Sequence, residues 1–170
     1  GSEGIRYTLI PHDPVRSSQL FILLIDGSSS MSEGGRMNKV REALLLPEVQ
    51  QAFFPPDVNT RVAIFQFTDR GPQPLGGSLR LLETPQAYSR LIRQELRVLQ
   101  GYTHLFDAIR WATGDFLKQK DIKDLLVLNE MTPTVVALTD GFNNQTARDT
   151  CRSNVSRLNG LLKHLDKVRS

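Results

Sequence analysis

Asp26, Ser28 and Ser30 stand at alternate positions in Asp26-Gly27-Ser28-Ser29-Ser30-Met31, directly after the apolar run Leu20-Phe21-Ile22-Leu23-Leu24-Ile25. A strand that ends in such a turn can aim one carboxylate and two hydroxyls at a common point. Hard divalent cations take oxygen ligands, and Mg²⁺ in particular favours near-octahedral geometry with few carboxylates and several retained waters. Two hydroxyls with one or two carboxylates suit that preference. A second carboxylate, Asp140, follows another apolar run, Thr134 to Leu138. Read without a metal, Ser28 and Ser30 cap the next helix or satisfy the turn, as such residues commonly do. The hexapeptide by itself leaves both readings open.

The elements that must position these residues follow from patterning. Ser18 to Ile25 reads as a strand covered on both faces, because a short continuous apolar run bounded by polar residues suits one. Ile5 to Ile10 is an edge strand or an ordered lead-in. Met37, Val40 and Leu44 recur at helical spacing, which predicts a helix from near Arg36 to Pro47 or a little beyond. Thr60 to Phe67 is rich in β-branched and aromatic residues and is the second main strand. The stretch Asp69 to Pro74 is turn-prone, with Ser78 to Leu82 as a shorter strand pairing across that loop. Tyr88, Leu91, Ile92, Glu95 and Leu99 trace a helix. Leu105, Ile109, Ala112 and Phe116 trace another after the break at Gly101-Tyr102-Thr103. Thr134 to Leu138 is a further buried strand, and Val155, Leu158, Leu162 and Leu165 mark a last helix. Strands alternating with helices predict an α/β domain, three-layered and doubly wound, with a mostly parallel sheet flanked by helices. Ligands of such sheets bind beyond the carboxyl ends of the strands, which is where Asp26 and Asp140 stand.

Composition narrows the classes without choosing among them. The chain has 170 residues, of which 39% are hydrophobic and 23% charged, ordinary usage for one globular domain with its own core. Cys151 is the only cysteine, which excludes a disulfide scaffold. No segment reaches the roughly 20 consecutive apolar residues that span a bilayer, so direct membrane insertion is not expected. The net charge of +3 is spread over interspersed Lys, Arg, Asp and Glu, which fits solvated helix surface better than a nucleic-acid footprint. Gly1-Ser2-Glu3-Gly4 resembles a tag-cleavage remnant, so residues 1–17 divide into that remnant and the lead-in, and residues 18–170 form the domain. Asn144-Gln145-Thr146 and Asn154-Val155-Ser156 match the N-glycosylation acceptor, a tripeptide that arises readily by chance. The compartment is left open.

Asp-x-Ser-x-Ser after a hydrophobic strand, then a Thr in a separate loop before a helix, then Thr-Asp-Gly ending a later strand, resembles the von Willebrand factor type A (vWA) domain. Its metal-ion-dependent adhesion site, shared with integrin I domains, falls in this sequence on Asp26, Ser28, Ser30, Thr103 and Asp140. The resemblance runs from about Leu20 to the final helix. It implies that Ser28 and Ser30 coordinate Mg²⁺ directly, with Mn²⁺ or Ca²⁺ as alternatives. Thr103, Asp26 and Asp140 would act directly or through water. It further implies that a protein partner supplies an Asp or Glu as the last ligand, making the domain a cation-dependent adhesion module and not an enzyme. Tyr102 and His104 flank Thr103 and are left outside the site. The family's sheet gains further strands and a terminal helix after the point where this sequence stops. A C-terminally truncated domain is therefore the expectation.

The enzymatic rival is an aspartate-type, Mg²⁺-dependent phosphotransferase or phosphatase, whose nucleophilic Asp also follows a buried strand. That chemistry wants a second carboxylate two positions on, and position 28 is Ser. No Walker Gly-Lys-Ser/Thr is present for nucleotide binding, and no Gly-x-Ser-x-Gly elbow supports a serine nucleophile. A structural vWA-like domain without metal is the remaining alternative.

Overall fold

In the computed structural model residues 18–139 are described. The expected lead-in strand, Asp140, Cys151, the two Asn-x-Thr/Ser tripeptides and the last helix lie outside them. Strand β1 (Ser18–Asp26) is central, parallel to β2 (Asn59–Thr68) on one side and to β4 (Met131–Leu138) on the other. A short β3 (Gly71–Pro74) folds back antiparallel on β2, giving the order β3-β2-β1-β4.

The unbroken apolar run of β1 has a direct cause: both faces of the strand are covered. Alternation sends Phe21, Leu23 and Ile25 to one face and Leu20, Ile22 and Leu24 to the other. The first face packs against α1 (Arg36–Leu44), α2 (Pro47–Phe53) and α3 (Pro85–Glu95) through Met37, Leu44, Val49, Phe53, Leu91 and Ile92. Phe53 lies edge-on to Phe21 at 5.1 Å and tilted to Tyr88 at 5.8 Å. Burial pushes the Tyr88 phenol above its ordinary pKa, so the hydroxyl stays a neutral donor, and it reaches the Leu44 carbonyl at 2.8 Å. The second face packs against α4 (Leu105–Thr113), α5 (Asp115–Lys118) and α6 (Lys120–Leu128), with Phe65 edge-on to Trp111 at 4.9 Å and to Phe116 at 5.2 Å. The result is the expected three-layer, doubly wound α/β arrangement. From β1 the chain crosses to β2 beneath α1 and α2, then returns through α3 to α6 to reach β4 on the opposite side of β1. The order therefore reverses at β1, and the crevice outside its carboxyl end is the switch point where open α/β sheets bind ligands.

Four local expectations are corrected. The helix starting at Arg36 is two helices, parted at Leu45 and Leu46, with Pro47 opening the second because its fixed φ and missing N–H suit a first turn. The partner of β2 is Gly71–Pro74, inside the stretch read as a turn, whereas Ser78 to Leu82 contributes only a bridge from Leu82 to Val62. Pro72 and Pro74 are tolerated there because β3 is an edge strand. The helix carrying Tyr88 ends at Glu95, since Leu96 is already extended (φ −72°, ψ 121°), so Leu99 belongs to the loop that follows. The helix traced through Phe116 breaks at Gly114, and a separate helix, α6, occupies residues that patterning left unassigned.

Candidate metal centre

Asp26 is the last residue of β1 and is fully buried. Its Oδ1 accepts the Ser28 N–H at 2.8 Å, the short-range bond by which an Asp turns its own backbone. Gly27 continues the ladder by donating to the Phe67 carbonyl at 3.0 Å, and a Cβ there would come within 3.1 Å of Leu99. The turn thus passes close beneath the loop that follows α3. Ser28 precedes a 3₁₀ segment, Ser29–Gly35, in extended conformation, but its side chain makes no cap bond. The Ser28 hydroxyl lies instead 3.1 Å from Ser30 Oγ and 2.8 Å from Thr103 Oγ1. The capping reading of Ser28 is therefore set aside. Buried Met31 anchors the far side of the turn, and the Arg36 guanidinium donates to the Ser30 carbonyl at 3.0 Å.

Thr103 is brought in by a loop with little freedom. Leu99 N–H donates to the Gly27 carbonyl at 2.8 Å, Ser29 N–H to the Gly101 carbonyl at 3.0 Å, and Gly101 N–H to Ser29 Oγ at 3.0 Å. Ser29 Oγ in turn donates to Gln100 Oε1 at 2.9 Å, and Tyr102 N–H to Asp69 Oδ1 at 3.0 Å. Gln100 sits at φ 76° and Gly101 at φ 113°, left-handed backbone held by these bonds. A Cβ at position 101 would also fall 2.3 Å from Asp69 Oδ1, so a side chain there displaces the exposed carboxylate that accepts the Tyr102 N–H.

Four of the five sequence-derived ligands, Asp26, Ser28, Ser30 and Thr103, are therefore adjacent, while Asp140 is outside the described residues. One neighbour was not assigned a role from sequence. Thr139, buried, donates its hydroxyl to Asp26 Oδ2 at 2.8 Å, the same oxygen that lies 3.3 Å from Thr103 Oγ1. The register explains it: Leu138 is opposite Ile25, so the next position on β4 meets the next on β1. Its signal in the sequence was the Thr of Leu138-Thr139-Asp140-Gly141.

The donor set fits a small hard cation. Among the described residues no group of three or more His, Cys, Asp or Glu forms a metal cluster, and the oxygens here are one carboxylate and three hydroxyls. Adjacent ligands of an octahedron with bonds of about 2.1 Å are separated by about 3 Å. The separations of 3.1, 2.8 and 3.3 Å match that edge length, and they equally serve hydrogen bonds among the hydroxyls when no ion is held.

No protein-family model matches the sequence, and no curated protein matches it. Among solved structures the chain is similar to the VWA domain of SpRpn10, at 20% identity and a TM-score of 0.49 over 82% of this chain and 66% of that one. It is similar to the ArnB paralog VWA2 from Sulfolobus acidocaldarius, at 19% identity and a TM-score of 0.44 over 78% and 30% of the two chains. Proximal thread matrix protein 1 of the mussel byssus matches at 13% identity and a TM-score of 0.46 over 72% and 36%. The chain thus spans less than two thirds of the length of each of these.

Proposed function

We propose that this chain is a divalent-cation-dependent protein-binding module of the adhesion type. The observation that carries the reading is the meeting of Thr103 with Ser28, 75 positions apart in sequence, at the carboxyl end of the central strand. Ser28 and Ser30 would hold Mg²⁺ directly, with Mn²⁺ or Ca²⁺ as substitutes, and Thr103, Asp26 and Asp140 would act directly or through water. A cation held by so few carboxylates remains electrophilic and accepts the Asp or Glu of a partner protein. The chain's own residues fix the donors: Thr139 orients the Asp26 carboxylate, Asp26 shapes the turn that presents Ser28 and Ser30, and the pinned loop presents Thr103. The reading is of a binding site and not of a catalytic one. Ser28 stands where an aspartate phosphotransferase needs its second carboxylate, and the hydroxyls are engaged with one another.

Titration calorimetry with Mg²⁺ and Mn²⁺ tests the proposal directly. Saturable binding is expected for the native chain, with Asp26→Ala and Asp140→Ala abolishing or strongly weakening it. A native chain with no cation-dependent heat overturns the reading. Turnover of a generic phosphate ester that depends on Asp26 would replace it with the phosphotransferase.

A further inference from the structure

Gln66 is the one polar residue in the run Val62 to Phe67, and it is only 2% exposed. Alternation along β2 puts it on the face of Val62 and Ile64, where an apolar side chain would simply continue the core. A buried amide costs free energy unless its polar atoms are hydrogen-bonded. Here Nε2 donates to the Arg97 carbonyl at 2.6 Å, and Oε1 accepts the Arg97 N–H at 3.4 Å. One side chain thus grips the N–H and the C=O of one residue, as a neighbouring strand does, which fixes both the place and the direction of the backbone. That backbone begins the loop that carries Thr103. The loop is pinned at alternate positions: Arg97 to Gln66, Leu99 to the Gly27 carbonyl at 2.8 Å, and Gly101 to Ser29 Oγ at 3.0 Å. Packing supports only one side of this stretch. Leu96 is buried and Val98 packs half-buried against the core, whereas Arg97 and Leu99 border a cavity of about 350 Å³ that reaches Leu75, Gly76 and Gly77. Gln66 also stands opposite Ile25, and its Nε2 would lie 3.4 Å from a Cβ on Gly27, so the amide sits against the turn that presents Ser28 and Ser30.

We infer that Gln66 is a positioning residue for the metal centre. By holding Arg97 to the carboxyl end of β2, it sets where the loop leaves α3 and so where Thr103 stands relative to Ser28 and Asp26. This inference rests on the metal-dependent reading above. It assigns part of the cation affinity to a side chain that bonds to Arg97 and not to any of the ligands.

The test measures Mg²⁺ affinity by calorimetry and amide hydrogen exchange in chelator, on the full chain and three variants. Gln66→Met keeps the length of the side chain and removes both bonds, while Gln66→Asn keeps the amide but falls one methylene short of Arg97. Either variant that folds carries the test. Each should weaken Mg²⁺ binding by about tenfold and speed exchange at the Leu99 and Gly101 amides, with the ladder amides of β1 and β2 as protected as in the native chain. Tyr88→Phe is the control, because it removes one buried hydrogen bond, to Leu44, on the same face of the sheet without touching the loop. It should lower stability and bind Mg²⁺ as the native chain does. A folded Gln66 variant with native Mg²⁺ affinity, or with unchanged exchange at Leu99 and Gly101, overturns the inference and leaves the metal reading standing. An equal loss of affinity in Tyr88→Phe does the same, since affinity would then follow global stability. A native chain that binds no Mg²⁺ overturns both.

Discussion

Asp26 shows how much of the site depends on one side chain. Its Oδ1 turns the backbone at Ser28, while its Oδ2 takes the hydroxyl of Thr139 and lies within reach of Thr103. Hydrogen bonds to a charged acceptor contribute about 1.5–3 kcal/mol each, and groups that orient a ligand typically account for 10–100-fold in metal affinity. Thr139→Val keeps the shape and removes the donor. It should lower stability by about 1–3 kcal/mol in chemical denaturation and Mg²⁺ affinity by about tenfold or more in calorimetry, with Thr139→Ser restoring both. Undiminished affinity in the valine variant would mean Asp26 is held without it. The serines and Asp26 were legible from residue type and spacing, because alternate positions after a strand converge. Thr139 was not, since a Thr at a strand end also reads as β-propensity, and its role appears only once β4 is registered against β1.

At the scale of elements, what could be read was whatever an apolar pattern enforces. β1 carries a continuous apolar run and β2 one broken only by Gln66 because both of their faces are covered, and α3 and α4 show clear stripes. Patterning missed β3, whose two prolines look like a turn, and α6, whose exposed Val127 and Leu128 blur any stripe. It also ran α3 on to Leu99, an apolar residue in helical phase that in fact faces the turn at Gly27. That loop is the element on which the site turns, and Gly101 is its fulcrum. Gly101→Ala meets Asp69 and a left-handed φ together, so it should destabilise by about 1–3 kcal/mol and weaken Mg²⁺ binding by displacing Thr103. Gly77→Ala is the control, at φ 87° with open space around it, where backbone strain alone is added and Mg²⁺ affinity should stay native. Equal effects of the two variants on Mg²⁺ affinity would refute the loop's role.

For the molecule as a whole, the site ties together the end of β1, the loop after α3 and the end of β4, segments that are distant along the chain and adjacent only in the folded state. The unfolded chain offers no such constellation, so whatever binds it adds its binding free energy to folding. At a free Mg²⁺ concentration of 100 times the dissociation constant this is about 2.7 kcal/mol. For a chain of 170 residues that corresponds to a rise in Tm of about 5–10 °C. The rise should track Mg²⁺ and not ionic strength, so NaCl matched in ionic strength should not reproduce it. Asp26→Asn, which keeps the volume and removes the charge, should abolish the Mg²⁺ response whatever its own Tm. An equal Mg²⁺-induced rise in the Asp26→Asn variant would place the stabilising ion elsewhere on the surface. A native Tm indifferent to Mg²⁺ up to millimolar concentrations would mean that the hydroxyls at the switch point are satisfied by one another and serve only to lock the turn of β1 to the loop of Thr103.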